Sequence, residues 1–465
     1  MTRYDLVIKN GLIVTATDRF RADIGISGEK IAALGHHLHG DKEVDATGLL
    51  VMPGGVDGHC HIEQDEADGT VHEDGFASAT GSALLGGTTT VVCFSAHLPG
   101  KGLKEQFLAY RDKGHASRCD YAIHQIITRT DRETLETGIP EVVALGAAGL
   151  KVFMTYDAFH LADDQVLQVL SAALPYDVII SLHCENYEAI RFLVSQHLAE
   201  GKIHAHSHAT SRPVSVEREA TSRAIALSEV TGQPIQIFHV SSPEVAAEIA
   251  RARDRGVQVA AETCTHYLTL TEDELKREGF EGAKFICSPP LRSAVEREGM
   301  WGALRDGTIS VVSSDHCGYT YEGSSGKARY GRNADFSKIP NGMPGLGTRL
   351  PVLFDAAITR DRIDLTDFVR VTATNPAKRY GLYPRKGTIA PGSDADLVLW
   401  DPAIRKTISP ELFESAIDYT PYDGREVTGW PVATYLRGRL AMGNGVLHSI
   451  PGDGLYLARA GRSHA

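Results

Sequence analysis

Two histidines spaced two residues apart, His59-Cys60-His61, stand where a run of apolar and β-branched residues gives out. On an extended strand such residues point the same way, so both imidazoles can face one point. A His-x-His pair alone is weak evidence for a metal site. Similar chemistry recurs elsewhere, however. His183, His239 and Asp315 each close a β-rich run, and Lys151 lies inside another. Neutral imidazoles and a carboxylate are ligands that suit zinc and related divalent ions. A lysine ammonium would repel such ions. Burial beside metal would instead lower its pKa and free a nucleophilic amine. Reaction with carbon dioxide would turn that amine into a carbamate, an anion whose two oxygens could bridge two metals.

These residues need a frame that brings strand ends to one place. Apolar runs at 50–56, 88–94, 120–127, 150–155, 178–183, 235–240, 257–263 and 309–313 alternate with longer helical stretches. Near-continuous apolar strands suit a parallel sheet covered on both faces, and eight strand–helix alternations predict a (β/α)8 barrel. Its catalytic end is the C-terminal end of the strands, where the histidines and Asp315 fall. One helix is punctuated clearly: Ser242-Pro243 opens it, Val245, Ile249 and Ala252 form its buried stripe, and Gly256 ends it. Short β-rich pieces at 5–9, 12–15, 23–27 and 30–34, and a return of that texture after about Tyr380, predict a small β-sandwich built from both termini. The expected division is 1–50 and 381–465 for the sandwich and 51–380 for the barrel.

The chain has 465 residues, a hydrophobic fraction of 42% and a net charge of -12. That charge argues against a nucleic-acid or anionic-membrane surface. No run is long enough to span a bilayer, and the N-terminus carries charges where a signal peptide needs an apolar core, so a cytoplasmic protein is expected. The 7 cysteines are scattered, with no Cys-x-x-Cys. They read as buried reduced thiols.

Several motifs then occur in one order: Pro53-Gly-Gly-Val-Asp-Gly-His-Cys-His61, Lys151-Val-Phe-Met-Thr-Tyr156, His183-Cys-Glu-Asn186, Phe238-His-Val-Ser241, Cys287-Ser-Pro-Pro-Leu-Arg292, Ser314-Asp-His-Cys317 and Ile339-Pro-Asn-Gly342. In these the chain resembles the dihydropyrimidinase/hydantoinase branch of the amidohydrolase superfamily, over essentially its whole length. The resemblance implies a (β/α)8 barrel with a flanking β-sandwich and a homotetramer, with a homodimer as the alternative. It also implies two zinc ions held by His59, His61, carboxylated Lys151, His183, His239 and Asp315. The activity implied is hydrolytic ring opening of dihydropyrimidines or 5-substituted hydantoins to N-carbamoyl amino acids. A metal-activated water would attack the ring amide. Asp315 would take its proton and pass it to the departing nitrogen, and Tyr156 would stabilise the oxyanion. Backbone groups at Ser288 and Asn341 would grip the ureide edge of the substrate. Without the resemblance, Ser288 and Asn341 read as turn residues and Tyr156 as a packing residue.

Other features are set aside. His204-Ala-His206-Ser-His208 falls in a polar stretch and is given no metal role, and His36-His37-Leu-His39 reads as a solvated turn. Gly86-Gly87 lacks a P-loop's Lys-Ser/Thr ending and reads as a close packing point. His316 is excluded because adjacent strand residues face opposite ways. The loop 64–74 is acidic and polar. It reads either as solvated or as favouring small or polar ring substituents, and Phe159 and His160 are further candidates to line that pocket. The rival functions are allantoinase and, in another class, a non-catalytic scaffold like the collapsin-response mediator proteins.

Overall fold

The structure, a computed structural model, describes residues 3–66 and 71–460. At its centre a nine-stranded parallel sheet curls into a ring. The strands are β1 (Gly55–His61), β2 (Thr88–Ser95), β3 (Asp120–Ile126), β4 (Gly149–Phe153), β5 (Ile180–His183), β6 (Ile235–Ile237), β7 (Val259–Cys264), β8 (Val311–Ser313) and β9 (His316–Cys317). β8 pairs with β7, and β9 pairs with β1 and closes the ring. The last two strands are thus one barrel strand, interrupted at Ser314 and Asp315. This is the expected (β/α)8 architecture. Every residue of β2 to β4 is buried, as apolar runs in a doubly covered parallel sheet require.

The helices obey the local signals. Ser242 caps Pro243–Asp254 by accepting from the Glu244 N–H at 3.2 Å, and Val245, Ala246, Ile249 and Ala252 are its buried face. Gly256 follows it at φ +89.

Both chain ends build two further sheets. One has four strands, in the order Lys30–Gly35, Asp23–Ser27, Arg3–Lys9, His39–Asp45. The other has seven and combines N-terminal pieces such as Leu12–Val14 with the C-terminal Leu397–Thr407 and Glu426–Leu436. Ile8, Ile24, Ile26, Val51, Leu397 and Leu399 are among the residues of a single apolar cluster drawn from both sheets. Strands Arg19–Arg21 and His39–Asp45 carry no apolar alternation and escape the pattern, because their pairing partners define them.

One expected strand divides in two. Leu50–Pro53 pairs antiparallel with Leu397–Trp400 of the seven-stranded sheet, and the barrel strand starts only at Gly55. Gly54 is the hinge between them. A Cβ there would lie 2.1 Å from Thr89 Oγ1 of β2, so only bare backbone passes. The shift runs β1 on to His61, which places both histidines on the strand itself.

Candidate active site

Six side chains converge at the C-terminal ends of the strands. His59 Nε2 lies 3.0 Å and His61 Nε2 3.5 Å from Asp315 Oδ1. The His59 ring is 5.3 Å from His61 and 5.5 Å from His239, and His239 is 4.3 Å from His183. Lys151, on β4, lies beneath them with its Nζ over the faces of Phe238 (4.2 Å) and Phe153 (4.7 Å). All six line one cavity of about 320 Å³, together with Tyr156, Ser288 and Asn341. A larger open groove of about 930 Å³ beside it shares Asn341 but contains none of the six.

The outer contacts of the imidazoles are specific. His59 Nδ1 meets Glu262 Oε1 at 2.7 Å, His61 Nδ1 meets Gln64 Oε1 at 2.7 Å, and His183 Nε2 meets Glu185 Oε2 at 2.7 Å. An oxygen acceptor on one ring nitrogen puts the proton there and leaves the other nitrogen a bare donor of electrons. Orientation of ligand histidines by outer oxygens is how metal sites are built. Burial alone would raise the Glu185 carboxyl, but Arg212, 2.7 Å away, and His183 hold it down at about 2.

Charge at the centre is unresolved by the protein's own groups. Lys151 is 1% exposed, and its Nζ finds no hydrogen-bond partner among the described residues. Burial draws its amine down to about 7. Burial also pulls His183 to about 4 and, with His183 and Lys151 nearby, pushes His239 far below its ordinary value. Burial works against ionised Asp315, yet His59 and His61 hold its carboxyl well below the usual range. Burial lowers His59, and Asp315 and Glu262 more than reverse that. Four imidazoles, a carboxylate and an orphaned amine thus face one point, with His61, His183 and His239 drawn toward the neutral form and His59 toward the charged one. His59, His61 and Asp315 have ligand atoms close enough together to hold a metal ion.

The backbone is strained at the same place. Tyr156, His239 and Asp315 adopt positive φ of 71°, 39° and 48°. Side-chain-bearing residues rarely sit there, at a cost of about 1–3 kcal/mol each, and such residues cluster at functional sites. In each case the strand has just ended, and the turn aims the side chain back over the barrel mouth. Tyr156 reaches the Ser288 side chain, and burial raises its phenol far above the ordinary value.

Residues 50–441 match the model of the amidohydrolase family. The D-hydantoinase of Ralstonia pickettii is 42% identical over 458 residues, spanning 98% of this chain and 99% of that protein. The chain belongs to the hydantoinase branch of the amidohydrolases. A solved D-hydantoinase structure agrees with TM-score 0.94 at 41% identity, over 98% of this chain and 99% of that one. Dihydropyrimidinase from Brevibacillus agri NCHU1002 agrees with TM-score 0.95 at 37% identity, over 99% of both chains.

In this amidohydrolase the motifs set aside have other partners. His208 is buried, with Nε2 2.8 Å from the Cys287 carbonyl and 3.3 Å from Ser288 Oγ, so it supports the Ser288 segment. His316 turns away from the cavity toward Asp74, at 3.4 Å. Gly86 packs where a Cβ would lie 2.2 Å from the Gly347 carbonyl, so its bare backbone is a packing point. All seven cysteines are free and buried. Gln64, Glu66 and His72 of the polar loop line the cavity, with Glu66 Oε1 2.8 Å from His72 Nε2, and residues 67–70 lie outside the described residues. Phe159 lines the cavity too. His160 does not line it: its ring stacks on Tyr187 at 4.3 Å instead. Glu262 and Glu185 were missed, although each had a signal: Glu262 is a carboxylate inside the buried strand β7, and Glu185 follows His183 by two.

Proposed function

We propose that the chain is a cyclic amidohydrolase that opens dihydropyrimidines or 5-substituted hydantoins to N-carbamoyl amino acids. The observation that carries this is the orphaned Lys151 amine, buried among four imidazoles and Asp315. A buried lysine without a partner is a poor structural choice. It is a good nucleophile for carbon dioxide: Nζ bonds the carbon, loses a proton, and the resulting carbamate brings negative charge to the centre. His59, His61, carboxylated Lys151, His183, His239 and Asp315 would then hold two zinc ions. When bound, these supply an activated water and a positive field for developing charge.

The chain's own groups do the rest. The Asp315 carboxylate accepts the proton of the attacking water and returns it to the ring nitrogen as the C–N bond breaks. The Tyr156 hydroxyl donates to the carbonyl oxygen as charge builds there. Its raised pKa keeps it protonated for that purpose. Backbone groups at Ser288 and Asn341 hold the ureide edge. The polar wall of Gln64, Glu66 and His72 supports small or polar ring substituents.

The relatives named above act on hydantoins or dihydropyrimidines by their names, which weighs against allantoinase. A scaffold role is disfavoured because every ligand position holds a competent residue. A cytoplasmic homotetramer, or a homodimer, remains part of the proposal. No helix among the described residues is long and apolar enough to cross a membrane. The test is turnover of dihydrouracil, hydantoins with graded 5-substituents, and allantoin by metal-loaded protein. Ring opening of the first two classes with about two ions per chain is expected of a two-metal site. Protein that binds no metal and opens no ring would overturn the proposal.

A further inference from the structure

Lys327 is 1% exposed, like Lys151, but has a different environment. Its Nζ donates to the carbonyls of Ile286 (2.9 Å), Pro340 (2.6 Å) and Gly342 (2.6 Å). An ammonium has three N–H groups, and all three are used on main-chain oxygens. Its charge is balanced by no carboxylate within ion-pair distance among the described residues. Burial draws the amine down to about 7, but the three carbonyl acceptors hold the proton on it, because a neutral amine has only two N–H groups to give.

The three carbonyls come from the two backbone segments that bring Ser288 and Asn341 to the cavity. Ile286 directly precedes Cys287 and Ser288. Pro340 and Gly342 flank Asn341. The Gly342 N–H also donates to the Ile286 carbonyl at 2.9 Å, so Lys327 sits at the junction of the segments. The C=O of Pro340 and the N–H of Asn341 share one peptide plane and point in opposite directions. An ammonium on that oxygen fixes the plane, and it polarises the N–H at the other end. The lysine is itself held in place: its N–H donates to the Thr320 carbonyl at 2.8 Å. At neighbouring Gly326 a Cβ would lie 2.4 Å from the same carbonyl, so the turn is too tight for a side chain there.

We propose that Lys327 is a positioning residue that sets the Ser288 and Asn341 segments at the spacing and orientation required to grip the ureide edge of the substrate. This rests on the cyclic-ureide function proposed above. It explains an otherwise costly choice, a desolvated ammonium where a carboxylate partner or an apolar residue would be more economical. Lys327 touches neither the reacting bond nor any of the six candidate ligands, so its effect falls on binding.

The test uses full-length, metal-loaded protein carrying Lys327→Met or Lys327→Gln, the second keeping two N–H donors without the charge. Wild-type turnover is measured first, and opening of neither dihydrouracil nor any 5-substituted hydantoin would sink the parent function rather than this proposal. With turnover in hand, KM and the inhibition constant of the N-carbamoyl product of the ring opened should rise together by about tenfold in Lys327→Met, the size expected for loss of one charge-assisted hydrogen bond from a binding edge. Lys327→Gln should fall between Met and wild type, with metal content and kcat close to wild type in both. Folded variants with unchanged KM and product inhibition would overturn the assignment. So would a loss confined to kcat or metal content. Failure of both variants to fold would reassign Lys327 to stability, which also overturns it.

Discussion

Lys386 and Lys151 are both 1% exposed, and they lie at opposite ends of the same barrel. Lys386 reaches Asp120 at the start of β3, with Nζ 2.5 Å from its carboxylate, and also Asp396 at 2.7 Å and Asp394 at 2.9 Å. Arg437 joins the cluster through Asp120. Lys151 is level with Ile126 at the far end of β3 and has no hydrogen-bond partner among the described residues. Burial lowers both amines. At the lower end Asp396, Asp120 and Asp394 reverse this and raise Lys386 above its ordinary value, whereas Lys151 falls to about 7. Satisfied polarity at one end ties the terminal strands to the barrel. Unsatisfied polarity marks the other end; positive φ occurs at both, at Arg437 in the lower cluster and at Tyr156, His239 and Asp315 in the upper. A chain keeps such frustration where it has chemistry to do.

The comparison breaks most sharply at Lys151. Lys151→Met should leave the fold and melting temperature near wild type, because an unpartnered amine is replaced by an apolar chain of similar length. Ring opening should fall to background, and bound metal, read by elemental analysis, should drop with it. Retained metal and turnover would mean that the amine has no part in the centre.

Lys386→Met should do the reverse. Removing one member of a buried ion cluster strands the others, and the cost is about 3–5 kcal/mol. Denaturant titration should show that loss, while kcat per folded molecule stays near wild type. The pH dependence has two signs. Lys386 has a raised folded pKa, so its contribution is complete below the unfolded value of about 10.4 and is lost as pH rises through the folded one. Asp394 is buried, yet Lys386, Lys30 and Arg385 lower its carboxyl to about 2. Its contribution is present above the unfolded value of about 3.9 and is lost as pH falls toward 2. Asp396 opposes this at the acid edge, because burial and Asp120 raise its carboxyl despite Lys386. Lys386→Met should therefore be most destabilising between these edges. A flat difference from pH 2 to neutrality would remove Asp394 from the account.

The ends of the barrel were unequally legible in the sequence. The upper end was open to inspection because a metal centre needs particular residue types at strand ends, and His59, His61, His183, His239 and Asp315 provide them. The strand pattern also survived, since burial on both faces forces continuous apolar runs. The lower cluster was not legible. Asp120, Lys386, Asp394, Asp396 and Arg437 look like ordinary surface charges until the topology brings the C-terminal segment under β3. The division at Gly54 was hidden for a related reason: Leu50–Pro53 and Gly55–His61 are both apolar, and only pairing partners tell them apart. Glu262 was marked only as a carboxylate within an apolar strand, with nothing to name His59 as its partner, and Lys327 acts through backbone contacts of which spacing carries no trace.

Tyr156 sharpens the contrast with the smallest change, a single oxygen. Its backbone is held at φ +71, and its ring packs 5.2 Å from His183 and 5.6 Å beneath the Arg212 guanidinium. Phenylalanine keeps the ring and the strained turn and removes only the hydroxyl. If that turn exists to aim a donor at developing charge, Tyr156→Phe should cost about 10²–10³ in kcat, the range for loss of one oxyanion donor. Melting temperature and metal content should stay near wild type. The opposite pattern, full turnover with lowered stability, would make the hydroxyl part of the packing, and the strain at this end would then need a cause other than chemistry.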